Sequence, residues 1–572
     1  MSVCESLDDD HEDNRLYRSS KMFIDARNIQ KGEIIRADVC IAGAGVAGIT
    51  LAREFMGAGV DTCIIESGGL KPDKATQSLY YGENIGLPYY PLDTARGRFF
   101  AGTAHYWGVK LPGQGMGVRL RALDPIDFER REWVPYSGWP FDKSHLDPYY
   151  ERAHRFLKIG PYSYQTEDWA DPESRPAFPF VGERVETTMF QFARRDIFFK
   201  DFREEIDKTA TVKTFLYGNV VEIETAESGN AVTGFRVACM NGNQFRVEAR
   251  LYILATGGIE VPRMLLLSNR VWKTGIGNAN DLVGRFFMEH PHLWTGNFIP
   301  ATVSISNAMG LYEVHRKNGT NVMAKIAIGD KTLRKEKMLN WVTSIHPDFQ
   351  LSYNHYLCHN TLGVSAYREF KKTVMKERRI STELLSHLRD MLLDGQSIVR
   401  AAYRKLRGTF QRDFERSKHI AVCWLNPMVE QAPNPESRVV LGEELDALGQ
   451  RRAHLDWRLT PLDIYTFTRA QEILDEELRK AGLGQLIIHT RSDEIPRNVH
   501  GGWHHMGTTR MHNNPKNGVV DEHCKVHGID NLYIAGASVF PTSGFANPVL
   551  TTVAIVMRLA DHIQRILSRN SR

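Results

Sequence analysis

Two adjacent histidines, His504 and His505, lie in the stretch GGWHHMGTTRM at positions 501–511. An imidazole changes charge near neutral pH, so one of them is a candidate base for taking a proton from a substrate. A metal site would need a third ligand at ordered spacing, and adjacent side chains of an extended loop point apart. Two alternatives stay open: a proton-transfer site and two ordinary loop histidines. The choice between them depends on which residues the rest of the chain places beside these histidines.

A glycine-rich turn near the start of the chain predicts a dinucleotide site. The segment ADVCIAGAGVAGITLAREFMGAGVDTCIIESGG reads as strand, turn, helix and strand. Gly43 permits the tight turn, Gly45 lets a pyrophosphate approach the backbone, and Gly48 lets helix and strand pack closely. The helix N-terminus attracts the phosphates. Glu66, at the end of the second strand, can accept a hydrogen bond from a ribose hydroxyl, but this motif does not choose between FAD and NAD.

The end of the chain carries a second strand–turn–helix pattern. A strand is predicted over 532–535, a small-residue turn over 536–538, and an apolar helix that begins at Pro548, where the missing N–H costs little. The N-terminus of such a helix can face the pyrimidine edge of a flavin and stabilise its anionic reduced form.

Length and composition limit the class of protein. A chain of 572 residues is longer than one hydrophobic core usually supports, so two or more domains are expected. The net charge of +4 gives no reason to expect a nucleic-acid partner. The seven cysteines are scattered and lack a C-x-x-C pair, the N-terminal stretch lacks the pattern of a secretory signal, and no run of apolar residues is long enough to span a membrane. We therefore expect a cytoplasmic location.

Six motifs follow one another from about residue 36 to residue 565: IAGAGVAG, ARGRFFAGTAHYWG, ILATGGIEVPRMLLLS, LVGRFFMEHP, GGWHHMGTTRM and FPTSGFANPVLTTVAIVMRLADHI. In this combination and order the chain resembles the glucose–methanol–choline (GMC) family of FAD-dependent oxidoreductases. The resemblance covers nearly the whole chain. It implies that the cofactor is FAD.

The fold class that the resemblance implies is α/β. A Rossmann-type FAD-binding domain is interleaved with an α+β substrate domain built on an antiparallel sheet. The predicted division is an N-terminal extension (1–35), three FAD-binding parts (36–120, 211–292 and 491–572) and two substrate-domain parts (121–210 and 293–490). The second substrate part includes a basic helical insert at about 366–419. This insert is either a solvent-exposed helical segment or a docking face for a partner subunit or an anionic membrane surface.

The resemblance also implies roles for the residues at the reaction centre. His504 matches the catalytic histidine of the family's H-x-x-G-T pattern. Asn547 matches its partner, which is a histidine in many members; the His/Asn pair is similar to that of pyranose oxidases. Asn547 cannot act as a base, so His504 is the single predicted base. His505 is expected to face the residues that support His504 or the flavin, and it is also a candidate substrate contact.

In FAGTAHYWG, which matches the flavin-side loop, Gly102, Thr103 and Ala104 are expected to approach the flavin. His105 is either an ordinary loop residue or a site of covalent attachment. Arg96 either contacts an FAD phosphate or solvates the loop, and the backbone of Val220 is expected to receive the adenine. The further predicted cofactor contacts are Val46, Ala47, Ser67, Ala255, Gly257, Gly536, Ala537, Asn547, Pro548 and Val549.

The function that the resemblance implies is oxidation of a hydroxyl group of a sugar, glycoside or other polyol. His504 takes the hydroxyl proton while hydride passes to flavin N5, and the final acceptor is O2, a quinone or a redox protein. Glu430 and Gln431 either face the substrate or lie on the surface. Two alternatives are a flavin-containing lyase without net redox, and the catalytic subunit of a partner-assembled electron-transfer dehydrogenase.

Overall fold

The computed structural model describes residues 22–293, 296–348, 422–489, 495 and 499–569. The predicted basic insert at 366–419 lies outside these described residues. Of the helices within those ranges, none combines the length and the apolar character needed to cross a membrane.

Nineteen strands are found in the described ranges. In chain order they are β1 (Phe23–Asp25), β2 (Ile34–Ala42), β3 (Thr62–Glu66), β4 (Val109–Leu111), β5 (Gly115–Leu120), β6 (Val185–Arg194), β7 (Val212–Leu216), β8 (Asn219–Thr225), β9 (Val232–Ala238), β10 (Gln244–Leu254), β11 (Gly296–Pro300), β12 (His315–Lys317), β13 (Thr320–Ile328), β14 (Trp341–Asp348), β15 (Val422–Val429), β16 (Arg438–Leu445), β17 (Arg451–Asp456), β18 (Gly484–Ile488) and β19 (Leu532–Ile534).

The α-helices of the described ranges are, in chain order, α1 (Val46–Met56), α2 (Lys74–Gln77), α3 (Pro125–Phe128), α4 (Lys143–Phe156), α5 (Thr166–Trp169), α6 (Asp201–Asp207), α7 (Gly257–Leu267), α8 (Val303–Asn307), α9 (Asp330–Glu336), α10 (Pro461–Lys480) and α11 (Val549–Arg569).

The first sheet has a parallel centre. Its order is β1-β7-β3-β2-β10-β9-β8, with β19 beside β10, and the pairs β7–β3, β3–β2, β2–β10 and β10–β19 are all parallel. The inner strands are apolar and buried along their C-terminal halves, as expected of a sheet that helices cover on both faces. The last helix, α11, packs against both α1 and α4. Residues from both ends of the chain therefore belong to the same domain.

The second sheet is antiparallel, in the order β18-β11-β15-β14-β13-β6-β5-β4, with β12 beside β13. Successive side chains of its strands point to opposite faces of the sheet, and both faces are buried. Residues such as Met189, Ala324 and Leu425 share a core with Phe467 and Leu474 of α10. Residues on the opposite face of the same strands, such as Phe190, belong to the core that includes the first sheet. This second face therefore lies over the first domain.

The fold class is confirmed: a mixed α/β domain with a parallel sheet is interleaved with a domain on a large antiparallel sheet. Several segment boundaries differ from the prediction. The strand β1 belongs to the predicted N-terminal extension but extends the first sheet beside β7, and β4 and β5 lie in the predicted FAD-binding part 36–120 but join the antiparallel sheet. The strands β7 and β8 are close in sequence yet lie far apart in the first sheet.

Candidate active site

One cavity lies where the carboxyl ends of β2, β3, β10 and β19 meet the loops before α1 and α11. Its walls include every predicted site residue except Gly48 and His105. The predicted residues that line it are Gly43, Gly45, Val46, Ala47, Glu66, Ser67, Arg96, Gly102, Thr103, Ala104, Val220, Ala255, Gly257, His504, His505, Gly536, Ala537, Asn547, Pro548 and Val549. Segments that are hundreds of residues apart in the chain thus form one site.

The end of the cavity beside α1 fits a pyrophosphate. Gly45 precedes the helix and no side chain caps it, so the first backbone N–H groups of α1 remain available to an anion. Gly43 has a φ of 101°, a left-handed conformation that suits glycine. A Cβ on Gly48 would lie 1.9 Å from the carbonyl oxygen of Gly43, so this glycine acts by letting helix and turn touch, outside the cavity wall.

Substitution of Gly48 by alanine is expected to destabilise the apoprotein and to weaken FAD binding. The added methyl must push helix and turn apart, and overpacking of this kind costs about 1–3 kcal/mol. Gly57→Ala is the matched control, because that glycine ends the same helix with φ −73° and its Cβ would meet nothing within 4 Å. Thermal unfolding and FAD titration measure the effect. Equal behaviour of the two variants would contradict this role of Gly48.

The ribose end of the cavity is built around Glu66. Its two carboxylate oxygens accept backbone N–H groups, from Ala44 at 2.8 Å and from Gly68 at 2.9 Å. Burial raises the pKa of Glu66, and these hydrogen bonds oppose that rise. Each carboxylate oxygen can accept more than one hydrogen bond, so capacity for a ribose hydroxyl remains.

Arg96 does not solvate its loop, as one sequence interpretation held. It is buried, donates to the carbonyl of Leu92 at 3.1 Å, and lies 3.4 Å from Glu260. Burial alone would raise the pKa of Glu260, but Arg263, Arg98 and Arg96 outweigh it and lower that pKa to about 2. Arg96 thus belongs to a buried ionic cluster at the cavity wall.

His105 does not occupy the position expected of a flavin-linked residue. Its ring stacks on Phe199 at 3.9 Å, and its Nε2 lies 3.1 Å from the carbonyl oxygen of Phe100, outside the cavity lining. Burial lowers its pKa to about 4, so the ring is neutral. The preceding residue, Ala104, lines the cavity whereas His105 does not, so of the two alternatives this geometry fits the ordinary loop residue.

At the other end of the cavity, a chain of hydrogen bonds fixes the protons of His504. Nε2 of the buried His290 lies 3.4 Å from the carbonyl oxygen of Ser543, which can only accept, so that nitrogen carries the proton of the neutral ring. Nδ1 of His290 is then an acceptor. It lies 2.8 Å from Nδ1 of His504, which must donate. Nε2 of His504 therefore has no proton, and Nδ2 of Asn547 donates to it at 3.0 Å.

Both imidazoles are held neutral by their surroundings. Burial lowers the pKa of His290 to about 4. Burial, with repulsion from His290 and then from His292, lowers the pKa of His504 well below its usual 6.5. The amide oxygen of Asn547 is buried and has no hydrogen-bond partner. The pair therefore presents an unprotonated ring nitrogen and an unsatisfied amide oxygen.

The loop that carries His504 is anchored on one buried carboxylate. Glu289 accepts backbone N–H groups from Gly502 at 2.9 Å and from His504 at 3.0 Å, and its own neighbour His290 donates a third at 3.0 Å. The hydroxyl of Tyr89 donates to the same carboxylate. Sequence reasoning missed Glu289 and His290, although both lie in the motif LVGRFFMEHP.

His505 lines the cavity, but its ring is held by the supporting residues. Its Nε2 lies 2.9 Å from the hydroxyl of Tyr89 and 3.9 Å from the carboxylate of Glu289. Trp503, on the other side of His504, has a φ of 63°, an uncommon conformation for a bulky residue. Within the described residues, no group of three or more His, Cys, Asp or Glu side chains is arranged to hold a metal ion.

Glu430 and Gln431 fit neither of the roles suggested from the sequence. Both are fully buried. Glu430 forms a two-pronged ion pair with Arg131, at 2.5 and 2.8 Å. The side-chain oxygen of Gln431 accepts the backbone N–H of Glu289 at 2.9 Å. Gln431 thus supports the carboxylate that anchors the His504 loop, and neither residue reaches the surface.

Comparison with known proteins gives consistent results. Residues 433–555 match the family described as GMC oxidoreductase. The chain is 25% identical over 351 residues to the fructose dehydrogenase large subunit of Gluconobacter japonicus, a match that covers 60% of this chain and only 52% of that protein. It is 24% identical to the 6'''-hydroxyparomomycin C oxidase of Streptomyces lividus, over 92% of each chain.

The fold also resembles solved structures. A fungal aryl-alcohol oxidase superimposes with a TM-score of 0.51 at 14% sequence identity, over 93% of this chain and 99% of that chain. At this level of identity the likeness concerns the fold alone.

Proposed function

We propose that this chain, whose residues 433–555 match the GMC oxidoreductase family, oxidises a hydroxyl group of a sugar, glycoside or related polyol to a carbonyl. One observation carries the proposal. The unprotonated Nε2 of His504 and the amide of Asn547 meet in the same cavity as the glycine turn at Gly43.

FAD is the cofactor. The residues present fit it: free backbone N–H groups at the start of α1 suit the pyrophosphate, and the buried carboxylate of Glu66 suits a ribose hydroxyl. When bound, the flavin supplies the two-electron acceptor that oxidation of an alcohol requires.

The protein's own residues would prepare the substrate for oxidation. Nε2 of His504 takes the hydroxyl proton, and the positive charge that forms on the ring is shared with His290 through the Nδ1–H that His504 donates. Asn547 holds the substrate oxygen, because its amide can donate and accept within reach of that nitrogen. The N-terminus of α11, just after Pro548, adds a partial positive charge at the same end of the cavity.

The substrate class is supported by two relatives, one named for fructose and one for hydroxyparomomycin. The first is a large subunit, which favours a second possibility: the chain is the catalytic subunit of a dehydrogenase assembled with a partner. The electron acceptor is O2, a quinone or a redox protein. Rapid H2O2 production by the isolated chain would favour the oxidase, whereas copurification with a small subunit or haem protein would favour the assembly.

The proposed function is tested by an anaerobic screen of sugars, glycosides and aromatic alcohols, with the flavin absorbance as readout. We expect bleaching by at least one sugar or glycoside and recovery of its carbonyl product. Purified protein that does not bind FAD would overturn the proposal. Cleavage of a cyanohydrin without bleaching would instead indicate a lyase.

The rate of flavin reduction is expected to be nearly independent of pH from about pH 8 down to the usual histidine pKa of 6.5. A base works in its neutral form, and the lowered pKa of His504 keeps it neutral until the pH falls through that lowered value. Anaerobic stopped-flow measurements at saturating substrate would check this. A rate already halved at pH 6.5 would contradict the assignment of this ring as base.

A further inference from the structure

A buried lysine without a hydrogen-bond partner lies on the antiparallel sheet. Lys325 of β13 has no exposed surface, and its Nζ makes no hydrogen bond. The ring of Phe190 lies 4.9 Å from that nitrogen. A cation–π contact stabilises an ammonium group by less than its desolvation costs. The contact with Phe190 therefore does not explain why Lys325 is buried.

A second cation shares this face of the sheet. Arg119 of β5 lies opposite Phe192 of β6, and Lys325 lies opposite Thr188 of the same strand. Side chains at every second position of a strand share a face, so both cations flank Phe190, which lies between these two positions. The guanidinium of Arg119 lies 5.9 Å from the Phe190 ring, and its Nε also has no partner.

Within the described part of the chain, no acidic side chain pairs with either cation. Burial, with repulsion from Arg119, lowers the pKa of Lys325 well below 10.5. Burial lowers the pKa of Arg119 to about 10. Two unpaired cations on one face favour the binding of an anion between them. A bound anion would raise the pKa of both groups again, because an opposite charge stabilises their protonated forms.

The face that carries these cations lies at the proposed reaction centre. The ring of Phe190 lies 6.1 Å from that of Phe545, which is two residues before Asn547. The charge of Arg119 helps to lower the pKa of His504, and that of Lys325 acts on His290, so both cations are within electrostatic reach of the proton-transfer chain. Thr188, which lies opposite Lys325, and Phe545 also line a separate cleft.

We propose that the substrate carries an oxyanion group, which binds between Lys325 and Arg119 while the hydroxyl to be oxidised lies at His504. This inference rests on the proposed function and narrows its substrate class to acidic sugars or polyols. A carboxylate and a phosphate share the required chemistry, since each accepts charge-assisted hydrogen bonds from both cations. A neutral substrate would leave both cations unpaired.

The test compares substrates that differ only in charge, in anaerobic flavin reduction by the holoenzyme. Glucuronate is paired with glucuronamide, which has the same shape without the charge, and glucose 6-phosphate is paired with glucose. We expect the charged member of at least one pair to have a KM about 10- to 100-fold lower, as expected for a charge-assisted hydrogen bond. The pair that shows the difference identifies the anion as carboxylate or phosphate.

Lys325→Met should abolish the preference while raising the melting temperature, because an unpaired buried charge is removed and its volume is kept. Arg119→Gln should reduce the preference in the same substrate pair, which guards against a failure of the first variant to fold. Lys331→Met is the matched control, since that lysine is exposed and paired with Glu183 at 2.5 Å. It should keep the preference.

Two outcomes separate this inference from the proposed function. If neutral sugars reduce the flavin as well as their charged partners do, and Lys325→Met changes neither, the inference is overturned and the function stands. If no hydroxyl compound of either charge reduces the flavin, the proposed function itself fails. A preference that persists in both variants would place the anion elsewhere in the cavity and would also overturn the inference.

Discussion

Replacement of His504 by alanine is expected to slow reduction of the bound flavin by about 10²–10⁴-fold, the contribution usual for a positioned general base. Its Nε2 is the unprotonated ring nitrogen next to Asn547. The amide of Asn547 cannot replace it at neutral pH. FAD should remain bound, because the proposed phosphate and ribose contacts lie at Gly45 and Glu66, away from the imidazole.

Two further variants make this result interpretable. His504→Gln keeps a polar side chain of similar size and should be equally slow, which separates loss of the base from collapse of the site. His512→Ala removes an imidazole from the same segment outside the cavity lining and should reduce its flavin at the normal rate. The rates come from anaerobic stopped-flow absorbance, and the bound flavin is quantified in each variant. Near-normal reduction in either His504 variant would remove the assignment of the base.

The features that the sequence predicted well are local ones. The unit from β2 to β3 could be predicted because its strands, turn and helix are contiguous and each has its own signal: apolar runs, glycine positions and a terminal acid. Gly43 and Glu66 could therefore be assigned from spacing alone. His504 and Asn547 were found only through the family motifs, since nothing local links two residues separated by 43 positions.

The features that the sequence missed depend on partners far away in the chain. His290 contacts His504 across 214 positions, and nothing in its own segment indicates that pairing. Likewise, the segment that forms β4 and β5 was assigned to an FAD-binding part, because nothing local shows that it joins the antiparallel sheet through β6, which begins 65 residues after β5 ends. The position of His105 was missed for the same reason: its ring stacks on Phe199, which lies in a distant segment of the chain, and this contact holds the ring outside the cavity lining.

The second large effect is expected at His290, which positions the base without meeting the substrate. Its unprotonated Nδ1 accepts the Nδ1–H of His504 and thereby keeps the proton off the nitrogen that must act as base. His290→Phe removes this acceptor, so His504 can adopt the other tautomer, in which Nε2 is protonated and inactive. We expect reduction of the flavin to slow by about 100-fold, the upper end for residues that orient a functional group.

The atom that accepts the hydrogen bond determines which replacement restores activity. The side-chain oxygen of asparagine lies near the position of Nδ1 in histidine, whereas that of glutamine lies near Nε2. His290→Asn should therefore recover most of the rate and His290→Gln should not, although glutamine is closer to histidine in size. Similar rates in these two variants would contradict the tautomer assignment and leave His290 a packing residue.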